Sequence, residues 1–173
     1  YSLSLSNVSL SDGTLSVVMN NEDVVGGFQF NLTGVEITGA SGGSAADAGF
    51  TVSTSSTTVL GFSFTGATLP AGYGVLVDVS FNGAPEELCL DGVVLSDPSG
   101  NGLDVTVGDC FSVVSGCTDT NACNYDAAAN TDDGSCVDPD TYYLDLDGDG
   151  FGGDTTAEYC SESVPNYDGD CIG

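Results

Sequence analysis

The chain has 173 residues, of which 26 are Asp or Glu and none is Lys, Arg or His, so its formal net charge at pH 7 is −26. Because the carboxylates have no internal cation to pair with, they must be solvated or neutralised by bound metal ions. Nucleic acids and anionic membrane surfaces are excluded as partners, since both are bound through basic side chains. Membrane insertion is excluded as well, because no apolar run is long enough to cross a bilayer.

Residues 1–111 show the alternation of apolar and polar side chains that is typical of β-strands. Turn signals separate nine such segments at about ten-residue spacing, and no segment has helical periodicity. The predicted strands are 1–8, 14–19, 27–32, 35–38, 51–54, 59–64, 75–81, 88–95 and 103–107, with loops at 40–49 and 66–74. The pattern therefore predicts an all-β fold, an antiparallel sandwich.

Three segments of this region resemble cohesin-like domains. They are VVGGFQFNLTGV at 24–35, GVLVDVSF at 74–81 and CLDGVVLSDPSGNGLDVTVGDC at 89–110. The resemblance covers residues 1–111 and implies a nine-stranded jelly-roll sandwich on a bacterial cell surface or an extracellular scaffold. The best-known cohesins bind dockerin modules, so the resemblance also implies a dockerin-like partner as one function.

Residues 112–173 hold 14 acidic residues and five of the seven cysteines but almost no aliphatic runs, so they cannot form a core unaided. The run GCTDTNACNYDAAANTDDGSC at 116–136 resembles a Cys-rich repeat of secreted proteins from aquatic bacteria, which implies an extracellular linker. The run YYLDLDGDGFGG at 142–153 resembles thrombospondin type 3 repeats and the calcium loops of dockerins, which implies calcium binding. The expected domains are 1–111, 112–140 and 141–173.

The second repeat also has the residue pattern of a calcium loop. Asp145, Asp147 and Asp149 alternate with residues that include two glycines, so a tight turn can direct all three carboxylates at one Ca²⁺ ion. Thr156 stands where an EF-hand has its bidentate Glu, so a helix–loop–helix pair is not expected. The further candidate ligands are Asp132, Asp133, Asp154, Glu158, Asp168 and Asp170. A solvated acidic surface is the alternative for most acidic residues, and an ordinary turn is the alternative for the Asp-Asp-Gly sequence.

The cysteines indicate an oxidising, extracellular compartment. We predict a Cys89–Cys110 disulfide across the last strands of the sandwich and a Cys160–Cys171 disulfide behind the calcium loop. Zinc ligation is the alternative, but the chain has no CxxC pair and no His. The spacing leaves open the pairing among Cys117, Cys123 and Cys136.

Two sequons make Asn7 and Asn31 candidates for N-glycosylation. Chance is the alternative, because Ser and Thr are abundant in this chain. Exposed Ser and Thr residues also offer O-linked sites.

An enzyme is not expected, because the chain has no His or Lys to act as a base and no nucleophile elbow. The acidity, the coreless tail and the absence of trypsin sites favour an extracellular or cell-surface structural protein. It would be a subunit of a calcium-stabilised bacterial filament or surface appendage, assembled head to tail from copies of itself. Residues 1–8 could add to a neighbour's sheet or form the first strand of their own sandwich. The alternative function is a cohesin-like adhesin or scaffold module that binds a dockerin-like partner or a glycan.

Overall fold

The computed structural model describes residues 1–145 and 151–161 in full, together with the backbone of residues 167–168 and 171–172. The chain divides into two compact units, Tyr1–Val113 and Val114–Gly173. Within the described residues, no helix has the length and apolar character needed to span a membrane.

The first unit, which is described throughout, is built almost entirely from strands. Its elements are β1 (Ser2–Ser9), β2 (Thr14–Asn21), β3 (Gly27–Thr33), β4 (Glu36–Ser41), α1 (Gly43–Asp47), β5 (Thr51–Thr54), β6 (Thr58–Phe62), β7 (Gly72–Asn82), β8 (Glu87–Ser96), β9 (Gly102–Leu103), β10 (Thr106–Val107) and β11 (Phe111–Ser112). Each of the first eight predicted strands has a counterpart in this series.

Three sequence predictions for this unit need correction. The predicted loop at 66–74 is too long, because β7 begins at Gly72. The predicted loop at 40–49 contains the end of β4 and the short helix α1, which docks through Ala45, a residue with no exposed surface. The predicted strand at 103–107 is two strands, because the chain changes sheets there: β9 pairs with β8, whereas β10 pairs with β1. The count of nine strands is therefore too low.

The strands form two sheets, with the orders β10-β1-β2-β7-β4 and β11-β8-β3-β6-β5. Neighbouring strands in both sheets run antiparallel, except that β10 runs parallel to β1. Strand β1 pairs with β2 on one side and with β10 on the other. The structure therefore places the segment 1–8 inside its own sandwich.

Alternating side chains of the two sheets enclose one apolar core. In β3, Phe28, Phe30 and Leu32 are buried, whereas Gln29 and Asn31 between them are partly exposed. The core also contains Leu3, Leu15, Val17, Met19, Val25, Val59, Leu69, Leu76, Val77, Val79, Phe81, Leu88 and Leu95. Each such aliphatic or aromatic side chain contributes about 1.5–3 kcal/mol by its removal from water.

The second unit contains short strands and little buried apolar surface. Its strands are β12 (Ser115–Gly116), β13 (Thr131–Asp132), β14 (Asp140–Leu144), β15 (Thr156–Tyr159), β16 (Tyr167–Asp168) and β17 (Cys171–Ile172). Among its residues with described side chains, only Cys117 and Ala122 are buried apolar residues. Covalent bonds therefore replace a hydrophobic core as the main constraint on this unit.

Two disulfides cross-link the second unit, Cys117–Cys136 and Cys123–Cys160. The predicted Cys160–Cys171 bridge is wrong, because Cys160 is bonded to Cys123; the side chain of Cys171 lies outside the described residues. Cys160 lies near Cys123 because β15 pairs antiparallel with β14, so that Tyr159, the residue before Cys160, is paired with Asp140 at the start of β14. The backbone nitrogen of Cys123 donates a hydrogen bond to the backbone oxygen of Val137, which lies three residues before β14.

Candidate functional site

The outward face of the sheet formed by β8, β3, β6 and β5 carries a group of exposed apolar side chains. Because strand residues alternate between the two faces, the pairing register determines which side chains meet on this face. Two rows of outward residues cross it: Val94, Gln29 and Leu60 in one, and Ser96, Gly27 and Phe62 in the other.

Leu60, Phe62, Phe64 and Val94 form what we call the apolar patch. The exposed fraction is 39% for Leu60, 51% for Val94 and 83% for Phe64. The rings of Phe62 and Phe64 meet edge to face, with their centroids 4.8 Å apart. Single exposed apolar residues are ordinary, but several on one sheet face are typical of an interaction surface.

A shallow groove of about 280 Å³ lies within this face, above Gly27. Gly27 has no side chain, and its cross-strand neighbours Ser96 and Phe62 lie one strand away on either side. At about 4.8 Å between adjacent strands, these flanking residues are about 10 Å apart. The groove is lined by Gly26, Gly27, Phe28, Gln29, Leu60, Gly61, Phe62, Val94 and Ser96.

Three carboxylates, those of Glu22, Asp23 and Asp97, act electrostatically on the side chain of Tyr1, the residue before β1. Asp97 directly follows Ser96, which lines the groove. Desolvation and then the negative charges of Asp23, Glu22 and Asp97 raise the pKa of the Tyr1 phenol, so the three carboxylates act on one position. No Lys, Arg or His exists in the chain to neutralise them.

Hydrogen bonds favour the ionised form of Asp97. Its Oδ2 accepts a bond from Nδ2 of Asn101 at 2.7 Å, and its Oδ1 accepts bonds from the backbone nitrogens of Asn101 and Ser99, both at 2.8 Å. The side chain of Asn101 is the main cause that lowers the pKa of Asp97, because these donors stabilise the charged form. The loop that follows β8 is therefore organised around a carboxylate.

The two sequons lie on different sheets and differ in accessibility. Asn31 lies in β3 on the same outward face, and its Oδ1 accepts a hydrogen bond from Oγ1 of Thr58 at 2.8 Å. Asn7 is exposed and lies in a bulge of β1, between Ser6 and Ser9, with a φ of 48°. A glycan on Nδ2 of Asn31 would cover this face. A glycan on Nδ2 of Asn7, which donates a hydrogen bond to Oγ of Ser16 at 3.5 Å, would project from the other sheet.

The predicted Cys89–Cys110 disulfide is present and joins β8 to the residue before β11, with the two Cα atoms 4.4 Å apart. Glu87 lies beside it, and the three residues form the one metal-type cluster found among the described residues, with ligand atoms within 4.8 Å of one another. Both sulfurs are consumed by the disulfide, so this cluster does not bind a metal as a thiolate site.

Among the described residues, Asp132 and Asp133 do not belong to any cluster of three acidic or cysteine side chains that could bind a metal ion. Both are exposed and cap the turn that follows β13. Oδ1 of Asp132 accepts a hydrogen bond from the nitrogen of Gly134 at 3.0 Å, and Oδ1 of Asp133 accepts one from the nitrogen of Ser135 at 2.9 Å. Hydrogen bonding by Ser135 lowers the pKa of Asp133. Their positions match the ordinary turn that was the alternative for this pair.

The acidic loop of the second repeat connects two strands. Asp145 directly follows β14, and exposed Asp154 lies shortly before β15. The nitrogen of Leu144 donates to the oxygen of Thr155, and the nitrogen of Gly153 donates to the oxygen of Leu144, both at 2.8 Å. Of the other predicted ligands, Asp147, Asp149 and Asp170 and the side chain of Asp168 lie outside the described residues.

No family model and no curated protein matches this sequence. The solved structures that resemble the chain include a non-cellulosomal cohesin from Archaeoglobus fulgidus, 21% identical over 65% of this chain and 90% of that one, with a TM-score of 0.48. They also include the sixth cohesin of scaffoldin B from Acetivibrio cellulolyticus in complex with a dockerin mutant, 18% identical over 62% of this chain and 93% of that one, with a TM-score of 0.46.

A type I cohesin–dockerin complex from Clostridium thermocellum matches as well, with 10% identity over 62% of this chain and 88% of that one, and a TM-score of 0.45. With TM-scores below 0.5, these matches give no residue-level correspondence. Function therefore has to be inferred from the residues of this chain.

The sequence reasoning missed the apolar patch. One signal was present: both alternating positions of β6 are apolar, with Val59 facing the core and Leu60 and Phe62 facing outward. A strand with one face in water is expected to be polar on that face. The apolar residues at 60 and 62 break that rule and mark the face.

Proposed function

We propose that the first unit is an extracellular scaffold or adhesion module that binds a partner protein on the outward face of β8, β3, β6 and β5. The single observation that carries this proposal is the apolar patch. Water contact with Leu60, Phe62, Phe64 and Val94 is unfavourable, and a partner that covers them recovers that free energy. Aromatic side chains surrounded by polar residues are typical of the centre of a protein interface.

Charge defines the class of partner. Every ionised side chain of this protein is a carboxylate, so all basic residues at the interface have to come from the partner. Opposite charges on the two surfaces speed association and exclude acidic proteins. A dockerin-like module with exposed apolar and basic side chains meets both requirements, and this is the partner class that we assign to the face.

The test uses calorimetric titration of the full chain with a panel of dockerin modules. Leu60→Asp places a charge in the patch at an outward position, so it should weaken binding by roughly tenfold or more without unfolding the sandwich. Ser80→Asp adds the same charge to an exposed position of β7 in the other sheet and serves as the control. Unchanged binding by the Leu60→Asp variant, or binding of glycans instead of every dockerin, would overturn the proposal.

For the second unit we propose a calcium-stabilised connector, in which Asp145, Asp147 and Asp149 supply the first ligands. The pairing of β14 with β15 supports this, because it holds together the two ends of the acidic loop and brings Asp145 and Asp154 to the same end of the hairpin. Carboxylate oxygens in a short loop suit Ca²⁺, which takes six to eight oxygen ligands. The strands on both sides of the loop distinguish it from an EF-hand.

Self-assembly is the observable that distinguishes a filament subunit from a binding module. The strand-donation route required residues 1–8 to leave their own sheet, but β1 is hydrogen-bonded to a neighbour on each side. A binding module stays monomeric in light scattering at high concentration with Ca²⁺ present. Filaments under the same conditions would favour the structural subunit.

A further inference from the structure

We propose that the Asp138–Pro139 peptide bond is a self-cleavage site in mild acid, and that the Cys123–Cys160 disulfide retains the cleaved segment until it is reduced. The nucleophile is the carboxylate of Asp138 itself. The proposal concerns the second unit and does not depend on the proposed binding face. It assigns to this unit a chemical step that can separate the acidic loop from the rest of the chain.

An Asp–Pro bond carries its own nucleophile. One carboxylate oxygen of Asp138 attacks the carbonyl carbon of the same residue, and the new C–O bond closes a cyclic anhydride. The C–N bond to Pro139 breaks, and the proline nitrogen takes a proton from the acidic solvent. Water then opens the anhydride and leaves Asp138 as a C-terminal residue, so the net change is the addition of one water molecule. Because the nucleophile and the carbonyl group belong to one residue, their effective concentration is high.

The chain contains two Asp–Pro bonds, and hydrogen bonds immobilise the first of them. Oδ1 of Asp97 accepts bonds from the backbone nitrogens of Ser99 and Asn101, both at 2.8 Å, and Oδ2 accepts one from Nδ2 of Asn101 at 2.7 Å. The backbone oxygen of Asp97 accepts a further bond from the nitrogen of Gly100 at 3.0 Å. Attack on the Asp97 carbonyl carbon would have to break these charge-assisted bonds, so the turn protects the Asp97–Pro98 bond.

The second Asp–Pro bond has no such restraint. Asp138 is exposed, and its carboxylate forms no hydrogen bond within the described part of the chain. The residues on both sides are held. The nitrogen of Val137 donates to Oδ1 of Asn124 at 2.8 Å, the oxygen of Val137 accepts from the nitrogen of Cys123 at 2.7 Å, and β14 begins at Asp140. The Asp–Pro dipeptide lies between these two anchored segments, and its carboxylate can rotate onto its own carbonyl carbon.

The groups around Asp138 make the step depend on acid. Asp140 lies two residues further on and pairs with Tyr159 of β15, which also carries Glu158. The segment bonded to Val137 contributes Asn124, which has no charge. Since the chain has no Lys, Arg or His, the proton for the proline nitrogen has to come from solvent. Cleavage should therefore slow as the pH rises toward neutrality.

The disulfides determine what happens to the cleaved segment. Cys117–Cys136 lies wholly before the Asp138–Pro139 bond, whereas Cys123–Cys160 spans it. Residues 139–173, which contain β14, β15 and the acidic loop, stay attached after cleavage and leave when that disulfide is reduced. Release of this segment therefore requires acid and a reductant together.

The experiment incubates the oxidised full chain at a pH of about 4, near the ordinary pKa of an Asp side chain, and follows cleavage by mass spectrometry before and after reduction. Circular dichroism verifies that the chain stays folded. We expect one species heavier by one water before reduction, and fragments 1–138 and 139–173 after it. Cleavage at Asp138–Pro139 should be at least roughly tenfold faster than cleavage at Asp97–Pro98. Asp138→Glu is the matched control, because it keeps the charge but moves the carboxylate one methylene away, and it should abolish cleavage at this bond.

Two comparisons separate the effect of the fold from that of the sequence. In urea the hydrogen bonds around Asp97 are lost, so the two Asp–Pro bonds should be cleaved at similar rates. In the folded chain, Asn101→Ala removes the Nδ2 donor and should speed cleavage at Asp97–Pro98.

The inference is overturned if the folded chain is not cleaved at Asp138–Pro139, or if both Asp–Pro bonds are cleaved equally in it. It is also overturned if Asp138→Glu is cleaved as fast as the wild type, or if the difference between the two bonds persists in urea. Separation of the fragments without a reductant would overturn retention by Cys123–Cys160.

Discussion

Gly61 and Phe28 are paired across β6 and β3 on the core side of the sheet, and substitution of this glycine tests how the sandwich is packed. A methyl group at Gly61 would lie 2.7 Å from Cδ1 of Phe28 and closer still to Cε1 and Cζ. The ring cannot move away freely, because it stacks with Phe30 and Phe50 at centroid distances of 6.2 Å. We therefore expect Gly61→Ala to force a displacement of the ring.

Overpacking of this kind costs about 1–3 kcal/mol. Replacing Gly by Ala also stabilises a compatible site by about 0.4–1 kcal/mol, through the unfolded chain. Gly74→Ala isolates that second effect, because its Cβ would have no neighbour within 4 Å. The difference between the two variants then gives the packing cost alone.

The assay is native-state hydrogen exchange of the β3 and β6 amides, which reports the opening free energy of this unit separately from that of the second unit. We expect the opening free energy to fall by about 1–3 kcal/mol in Gly61→Ala relative to Gly74→Ala. Adding Phe28→Leu should cost less in the Gly61→Ala background than in the wild type, because the two positions share one space. Equal protection in the two glycine variants would refute the proposed contact between position 61 and Phe28.

Four further results are expected. The folded state lowers the pKa of Asp97, so the ionised carboxylate stabilises the fold at pH values above its unfolded pKa. This stabilisation is lost as the pH falls through the pKa of the folded state. Urea titration should therefore show that Asp97→Asn is less stable than the wild type at pH 7 and equally stable at low pH. Replacing Cys123 and Cys160 together by Ser should lower the stability of the second unit by about 2–4 kcal/mol, measured by exchange of the β14 and β15 amides. In a host that performs N-glycosylation, peptide mass spectrometry should find a glycan on Asn7, which is exposed, and none on Asn31, which is partly buried in β3; a modified Asn31 would contradict the expectation that exposure decides between the two. Chelation of Ca²⁺ should expose the second unit to a protease that cleaves at acidic or aromatic residues, and unchanged resistance would contradict a calcium-stabilised connector.

The strand pattern of the first unit was predictable because the alternation of side chains in β3 or β8 is a local property. The Cys89–Cys110 bridge was predictable as well, since it spans neighbouring strands near the end of the sandwich. The change of sheets between β9 and β10 was not, because it depends on which partner strand each half meets. The helix α1 was missed because its Gly and Ser residues look like a loop, whereas burial of Ala45 fixes it.

The Cys123–Cys160 pairing shows a second limit of sequence reasoning. The two residues are 37 positions apart, and they meet only because β14 and β15 form a hairpin that returns the chain. The spacing of cysteines carries no information about such a return. The proposed binding face was missed for the same reason, because it depends on how distant segments pair. Leu60 and Val94 become neighbours of Gln29 only through the register of three strands.

We propose above that the outward face of β8, β3, β6 and β5 binds a partner protein. The most direct test is to map backbone amide shifts of the full chain on adding the dockerin module that binds it most tightly. The predicted result is a set of shifts concentrated in these four strands and in the loop at 97–101, with saturation at one module per chain. Shifts concentrated in β1, β2, β7 and β4, or in the second unit, would contradict it.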